Sequence, residues 1–177
     1  MIYNYQSTNF NNWRLKVEDL IVYLKMENKN IIELVKKIRN ETGLGLMEIK
    51  AALEEASGDE KKAKEILKEQ GYTKAEKRTE KETHQGLVAT YTHSTGKIGA
   101  MVELLCETDF VAKNEDFIKV AKELCLQVAA MDPKDTKELL EQEYIKDPSQ
   151  KMKDLVVALN SKFGENIKVG RIQRFDI

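Results

Sequence analysis

The chain has 177 residues, 33% of them charged, but 29 Lys and Arg nearly balance 30 Asp and Glu for a net charge of −1. That length holds one ordinary domain, or a small one beside a medium one, and the even balance supplies no bulk field of one sign with which to hold nucleic acid. The two cysteines, Cys106 and Cys125, are too few for a disulfide framework and lack the His and Cys companions at short spacing that a zinc site needs, so a reduced cytoplasmic protein is the simplest expectation.

Residues 1–29 are expected to form an N-terminal extension. An Asn-rich, turn-prone opening passes into a short amphipathic run with Trp13, Leu15, Val17, Leu20, Ile21 and Leu24, suited to a docked helix. It has neither the pattern of a secretory signal nor the Arg-rich, acid-poor one of a transit peptide. Met26 opens a different texture, and an economical reading places the biological start there. No apolar run in the chain approaches the roughly 18 residues of a membrane span.

From Asn30 to Gly71 the pattern predicts three short helices. Asn30 is placed to cap the first, putting Ile31, Leu34, Val35 and Ile38 on one face. Thr42-Gly43-Leu44-Gly45 stops it, since glycine tolerates the left-handed geometry of a helix end. A second helix begins at Leu46 and Met47 and stops at Ser57-Gly58. Asp59 caps a third, with Ala63, Ile66 and Leu67 inward and Gly71 at its close. A bundle of about forty residues sits near the lower size limit for independent folding.

Residues 72–85, YTKAEKRTEKETHQ, are dense in both charges and nearly free of apolar side chains, as expected of a linker or a solvated helical extension. The last unit, 86–177, changes period. Leu87 to His93 and Ile98 to Cys106 are β-prone and joined by Ser94-Thr95-Gly96-Lys97, which predicts a hairpin. A helix is expected from Asn114 to Met131, burying Phe117, Val120, Ala121, Leu124 and Val128. Asp132-Pro133 and Asp147-Pro148 punctuate a helical region running to about Lys162, because a residue before proline is pushed out of the α region. A closing strand follows over Ile167–Phe175. The fold class is α+β, a small antiparallel sheet with helices against it, preceded by a three-helix bundle.

No catalytic apparatus is written in the chain. A phosphate loop with its Lys and Ser or Thr, a GxSxG elbow and an HExxH pair are all missing. His84 and His93 are read as incidental, and the carboxylates alternate with Lys at helical spacing, as on solvated faces. The expectation is therefore a binding protein and not an enzyme, with no cofactor or metal of its own. The corner Glu107-Thr108-Asp109-Phe110-Val111 follows a strand and precedes a helix, where an aromatic is ordinarily a core plug and an acid a cap.

Two stretches shift that default. LVKKIRNETGLGLMEIKAAL (Leu34 to Leu53), with the Gly58-Asp59 corner, resembles the ubiquitin-associated-like helical domain of bacterial translation elongation factor Ts. VELLCETDFVAKNEDF (Val102 to Phe117) is similar to that family's Thr-Asp-Phe-Val signature, and KFGENIKVGRIQRF (Lys162 to Phe175) to its closing Gly-Glu-Asn-Ile strand. The QGLV of Gln85 to Val88 sits where the family's core begins. The resemblance implies a guanine nucleotide exchange factor for elongation factor Tu, acting on the GDP and Mg2+ that its partner holds. It implies that Asp109 and Phe110, flanked by Thr108 and Val111, reach the partner near its magnesium site. It further implies that Arg39, Leu46 and Met47 grip the GTPase domain. Of Leu46 and Met47, one is expected to pack inward and the other to face the partner. With room for a single core unit, the chain matches the family's short form, for which the resemblance implies a homodimer through the core sheet.

Burying one Phe is worth roughly 1.5–3 kcal/mol, whereas shifting nucleotide affinity by about four powers of ten needs about 5.5 kcal/mol of differential binding. The wedge alone falls short, which gives a reason for the second grip. Coupling is reciprocal, so nucleotide must weaken the hold in turn. The rival expectation is a non-catalytic dimeric adaptor whose helical module binds another protein. No basic face with interleaved aromatics supports direct RNA binding.

Overall fold

The computed structural model describes residues 30–78 and 81–177. The expected N-terminal extension, with its amphipathic run and Met26, lies outside the described residues. By compactness the chain divides between Ala63 and Lys64 into two units, each taken by itself below.

In the first unit, α1 covers residues 30–42, α2 runs Leu46–Glu55, and α3 opens at Glu60. Gly43 takes a left-handed φ of 71° and its amide returns to the Arg39 carbonyl at 2.8 Å, closing α1. Asp59 caps α3 as expected, its Oδ1 accepting from the amides of Lys61 and Lys62. Ile38, Leu44, Ile49, Ala52, Leu53, Ala56 and Ala63 are buried. A Lys37–Glu60 ion pair of 2.8 Å lies on the surface.

The expected stop at Gly71 is corrected: α3 continues to Arg78. Gly71 is there for close packing. A Cβ on it would come within 2.7 Å of Ser161 Oγ and 3.2 Å of Val157 Cγ1 on α7 (Met152–Phe163). About one turn earlier Lys68 pairs with Asp154 at 2.6 Å, and the hydroxyl of Tyr72, the residue after Gly71, donates to the same carboxylate. A helix that gains tertiary contacts keeps going through a poor helix former.

The second unit is built on a three-stranded antiparallel sheet in the order β1-β2-β5, with β1 Gln85–Thr92, β2 Ile98–Cys106 and β5 Lys168–Asp176. β1 and β2 pair from Gln85↔Cys106 to Thr92↔Gly99, the expected hairpin. Gly86 is required here: a Cβ on it would lie 2.2 Å from the Leu104 carbonyl oxygen. One face of the sheet, through Ala89, Ala100, Val102, Leu104 and Cys106, packs on Phe117, Ala121, Leu124, Cys125 and Val128 of α5 (Glu115–Met131). Burial pushes the Cys125 thiol up to about 11. On the opposite face Val88, Met101 and Phe175 are exposed, alongside Glu103 and Arg171, whose guanidinium and carboxylate are joined by several hydrogen bonds.

The region expected to be helical from Pro133 to Lys162 is broken. A short α6 (Thr136–Glu141) is followed by a hairpin of β3 (Glu143–Tyr144) and β4 (Asp147–Lys151), and only then by α7. The reason lies on α5. Fully buried Gln127 donates to the Glu143 carbonyl at 3.0 Å and to Gln142 Oε1 at 3.2 Å, and accepts from the Ile145 amide at 3.1 Å. The Tyr144 hydroxyl and the Lys146 ammonium both reach Glu123 on the same helix. Gln127 thereby partners two backbone groups, the Glu143 carbonyl and the Ile145 amide, that a helix would have paired internally.

Candidate functional site

β2 ends at buried Cys106, and the chain turns at once into α4, a single helical turn over Asp109–Ala112, before Asn114 caps α5 by accepting from the Asp116 amide at 2.9 Å. This fixes the alternation of the corner. Val111 points down into the core with 7% exposure, while Phe110 stands 84% exposed at the tip. The core-plug expectation for Phe110 is thereby answered by its neighbour: Val111 fills that place. A single exposed aromatic is ordinary on a protein surface; what sets Phe110 apart is the packed base beneath it.

Below the corner, Cys106 Sγ donates to the Thr108 carbonyl at 3.1 Å, and burial pushes its thiol up to about 11. Asp109 does not cap the turn. It pairs with Lys113 one turn on at 2.7 Å, and that hydrogen bond holds its carboxyl below the usual aspartate range. Asp109 is therefore ionised at neutral pH, with a partly exposed side chain. The pair itself, open to solvent, adds little stability.

What holds the corner comes from 57 and 58 residues away in sequence. Glu165 Oε2 accepts from the amides of Glu107 and Thr108 at 3.2 and 3.1 Å, and Oε1 accepts from the Thr108 hydroxyl at 2.6 Å. Reciprocally, Glu107 Oε1 accepts from the Asn166 amide at 2.6 Å and Oε2 from Lys81 at 3.3 Å. Asn166, itself buried, donates its side-chain amide to the Lys81 carbonyl at 2.7 Å. Gly164, left-handed at φ 71°, ends α7 and aims this Glu165-Asn166 turn. Thr108 thus gives its hydroxyl to Glu165 and makes no side-chain cap on α4. Sequence reasoning noticed the Gly-Glu-Asn-Ile stretch but assigned Glu165 and Glu107 no role. The signal was a carboxylate on each of two turns, and nothing local says that the turns meet.

Arg39, Leu46 and Met47 belong to the first unit. Arg39 is exposed in the last turn of α1, and the Gly43–Gly45 turn carries the chain directly to Leu46 and Met47 at the start of α2. Leu46 is 47% and Met47 77% exposed, so the expectation that one of them packs inward is not met. The inward positions are taken by Leu44 before the helix and by Ile49, Ala52 and Leu53 along it. The structure sets Thr108, Asp109 and Phe110 at the surface of one corner of the second unit, with Val111 turned into the core beneath them; in the first unit Arg39 lies in the turn of α1 that Gly43 closes, and Leu46 and Met47 open α2 just beyond it. Among the described residues no cluster of His, Cys, Asp or Glu is arranged to hold a metal ion, and no helix is long and apolar enough to cross a membrane.

Residues 107–177, from Glu107 of the corner to the chain's end, match the family model described as "Elongation factor TS". The chain is 37% identical to the elongation factor Ts of Oleidesulfovibrio alaskensis, with 81% of this chain and 96% of that protein covered. It is 38% identical to that of Thermotoga maritima, over 82% of this chain and 95% of the relative. It is 45% identical to that of Clostridium acetobutylicum over 80% of this chain, where it spans 46% of the relative's length. The chain therefore corresponds to nearly all of some relatives and about half of others.

Proposed function

The chain belongs to the elongation factor Ts family, and from that premise we propose that it is a guanine nucleotide exchange factor for elongation factor Tu. In this reading it binds the GTPase, disturbs the Mg2+ and phosphate site, and lets GDP leave so that GTP enters. It makes and breaks no covalent bond and needs no cofactor. Its place of action is the cytoplasm, on a protein partner and without direct contact to nucleic acid or membrane.

One observation carries the reading. Phe110 is presented almost wholly to solvent on a corner whose backbone is tied by Glu165 and whose next residue, Val111, is locked in the core. A rigidly mounted aromatic loses little conformational entropy on insertion, so more of its burial appears as binding. Asp109, ionised beside it, brings a negative charge to a site where the partner's cation is held. Exposed Arg39, Leu46 and Met47 supply the second grip, required because one ring falls short of the roughly 5.5 kcal/mol that a shift of about four powers of ten demands. On the same footing, the exposed Val88, Met101 and Phe175 of the open sheet face support a homodimer formed there.

The test is GDP release. Elongation factor Tu loaded with fluorescent GDP is mixed with the protein at micromolar concentration. Release faster than the spontaneous rate is expected, and an unchanged rate sinks the proposal. Sedimentation of the wild type against Phe175→Asp checks the dimer, the substitution being expected to yield monomer.

A further inference from the structure

We infer that Glu165 is a positioning residue for exchange, setting the aim of Phe110 through the backbone of Glu107 and Thr108; this rests on the exchange reading above. A single turn such as α4 has no stability of its own, because helices much shorter than about 12 residues are marginal in water. Its placement must come from outside. On the downstream side Val111 is buried and Asn114 starts α5. On the upstream side the fixings are the Cys106 thiol on the Thr108 carbonyl and the Glu165 carboxylate, which takes two consecutive amides and a hydroxyl.

Glu165 is itself held. Gly164 closes α7 immediately before it, and the amides of the two residues after it go to Glu107 and Asn160, at 2.6 and 3.1 Å. The two turns therefore exchange carboxylate-to-amide bonds in both directions, so that neither moves without the other. Hydrogen bonds to a charged acceptor are the stronger kind. Without them the corner between Cys106 and Val111 would sample orientations in which Phe110 misses its slot. The apparent affinity would then fall by the fraction of molecules still correctly aimed.

The experiment combines backbone amide hydrogen exchange over residues 107–113 with catalysed GDP release for wild type, Glu165→Gln, Glu165→Ala, Phe110→Ala and the double variant Glu165→Ala/Phe110→Ala. Glu165→Ala is expected to deprotect the Glu107 and Thr108 amides and to slow release about tenfold, the loss of one charged acceptor. Glu165→Gln keeps an acceptor oxygen and should recover to within about threefold of wild type. In the Phe110→Ala background the effect of Glu165→Ala should shrink below about twofold, because its route is through the ring. An undiminished effect in that background means that Glu165 acts on general folding and overturns the inference. So does wild-type release by Glu165→Ala. A wild-type protein that fails to stimulate release overturns the exchange reading instead, and is told apart by that measurement alone.

Discussion

Phe110→Ala should separate function from stability almost completely. Full burial of a Phe is worth roughly 1.5–3 kcal/mol. With 84% of the residue exposed in the free protein, nearly all of that remains to be gained on binding, about 1.3–2.5 kcal/mol. At about 1.36 kcal/mol per factor of ten, catalysed GDP release should slow by roughly 10- to 70-fold. The folding midpoint should hardly move, since surface changes away from special features stay within about 0.5 kcal/mol. Val111→Ala is the mirror control: it removes two buried methyl groups and should cost about 1–2 kcal/mol of folding stability. Stopped-flow release and thermal unfolding, run on both variants, decide the matter. If Phe110→Ala exchanges at the wild-type rate, the wedge is elsewhere. If it unfolds as early as Val111→Ala, Phe110 is part of the core and the reasoning fails.

Three further outcomes follow from the geometry. Gln127→Leu strips the Glu143 carbonyl and Ile145 amide of their partner, so it should cost about 2–3 kcal/mol and lower Tm by about 4–12 °C; a shift under about 2 °C would show that the β3–β4 hairpin does not depend on it. Glu103 is held at about 2 by its hydrogen bonds to Arg171, from an ordinary value of 4.5. Its folded value being depressed, its contribution to stability is complete above about pH 4.5 and fades as pH falls toward 2. Carboxyl NMR should show an ordinary titration in Arg171→Ala, and an ordinary titration in the wild type would refute the pairing. Cys106 and Cys125 are buried with thiols pushed up to about 11, so a thiol reagent at about pH 8 should label them only after denaturation; fast labelling of the native protein would contradict the packing.

Much of this protein is legible along the chain because short-range physics governs it. The hairpin of β1 and β2 follows from two β-prone runs around a Gly-containing turn. Helix α5 follows from its apolar spacing and from Asn114, and the stops at Gly43 and Gly58 from left-handed geometry that favours glycine. The Thr-Asp-Phe-Val corner is visible as a motif, and so is the family.

Tertiary structure alone decided the rest, wherever a residue's partner lies far away in sequence. Gly71 looked like a stop because glycine is a poor helix former, yet the helix runs on through it, with Val157 and Ser161 so close that a Cβ there would force their side chains to shift. Residues 143–151 form a hairpin in which the Glu143 carbonyl and the Ile145 amide find their partner in Gln127, on another helix. Whether Phe110 would plug the core or face outward was open until α4 took its place on β2 with Val111 inward, and that place is held by Glu165, 57 residues beyond Thr108. Residue type states what a side chain can bond; only the fold states which distant amide it reaches.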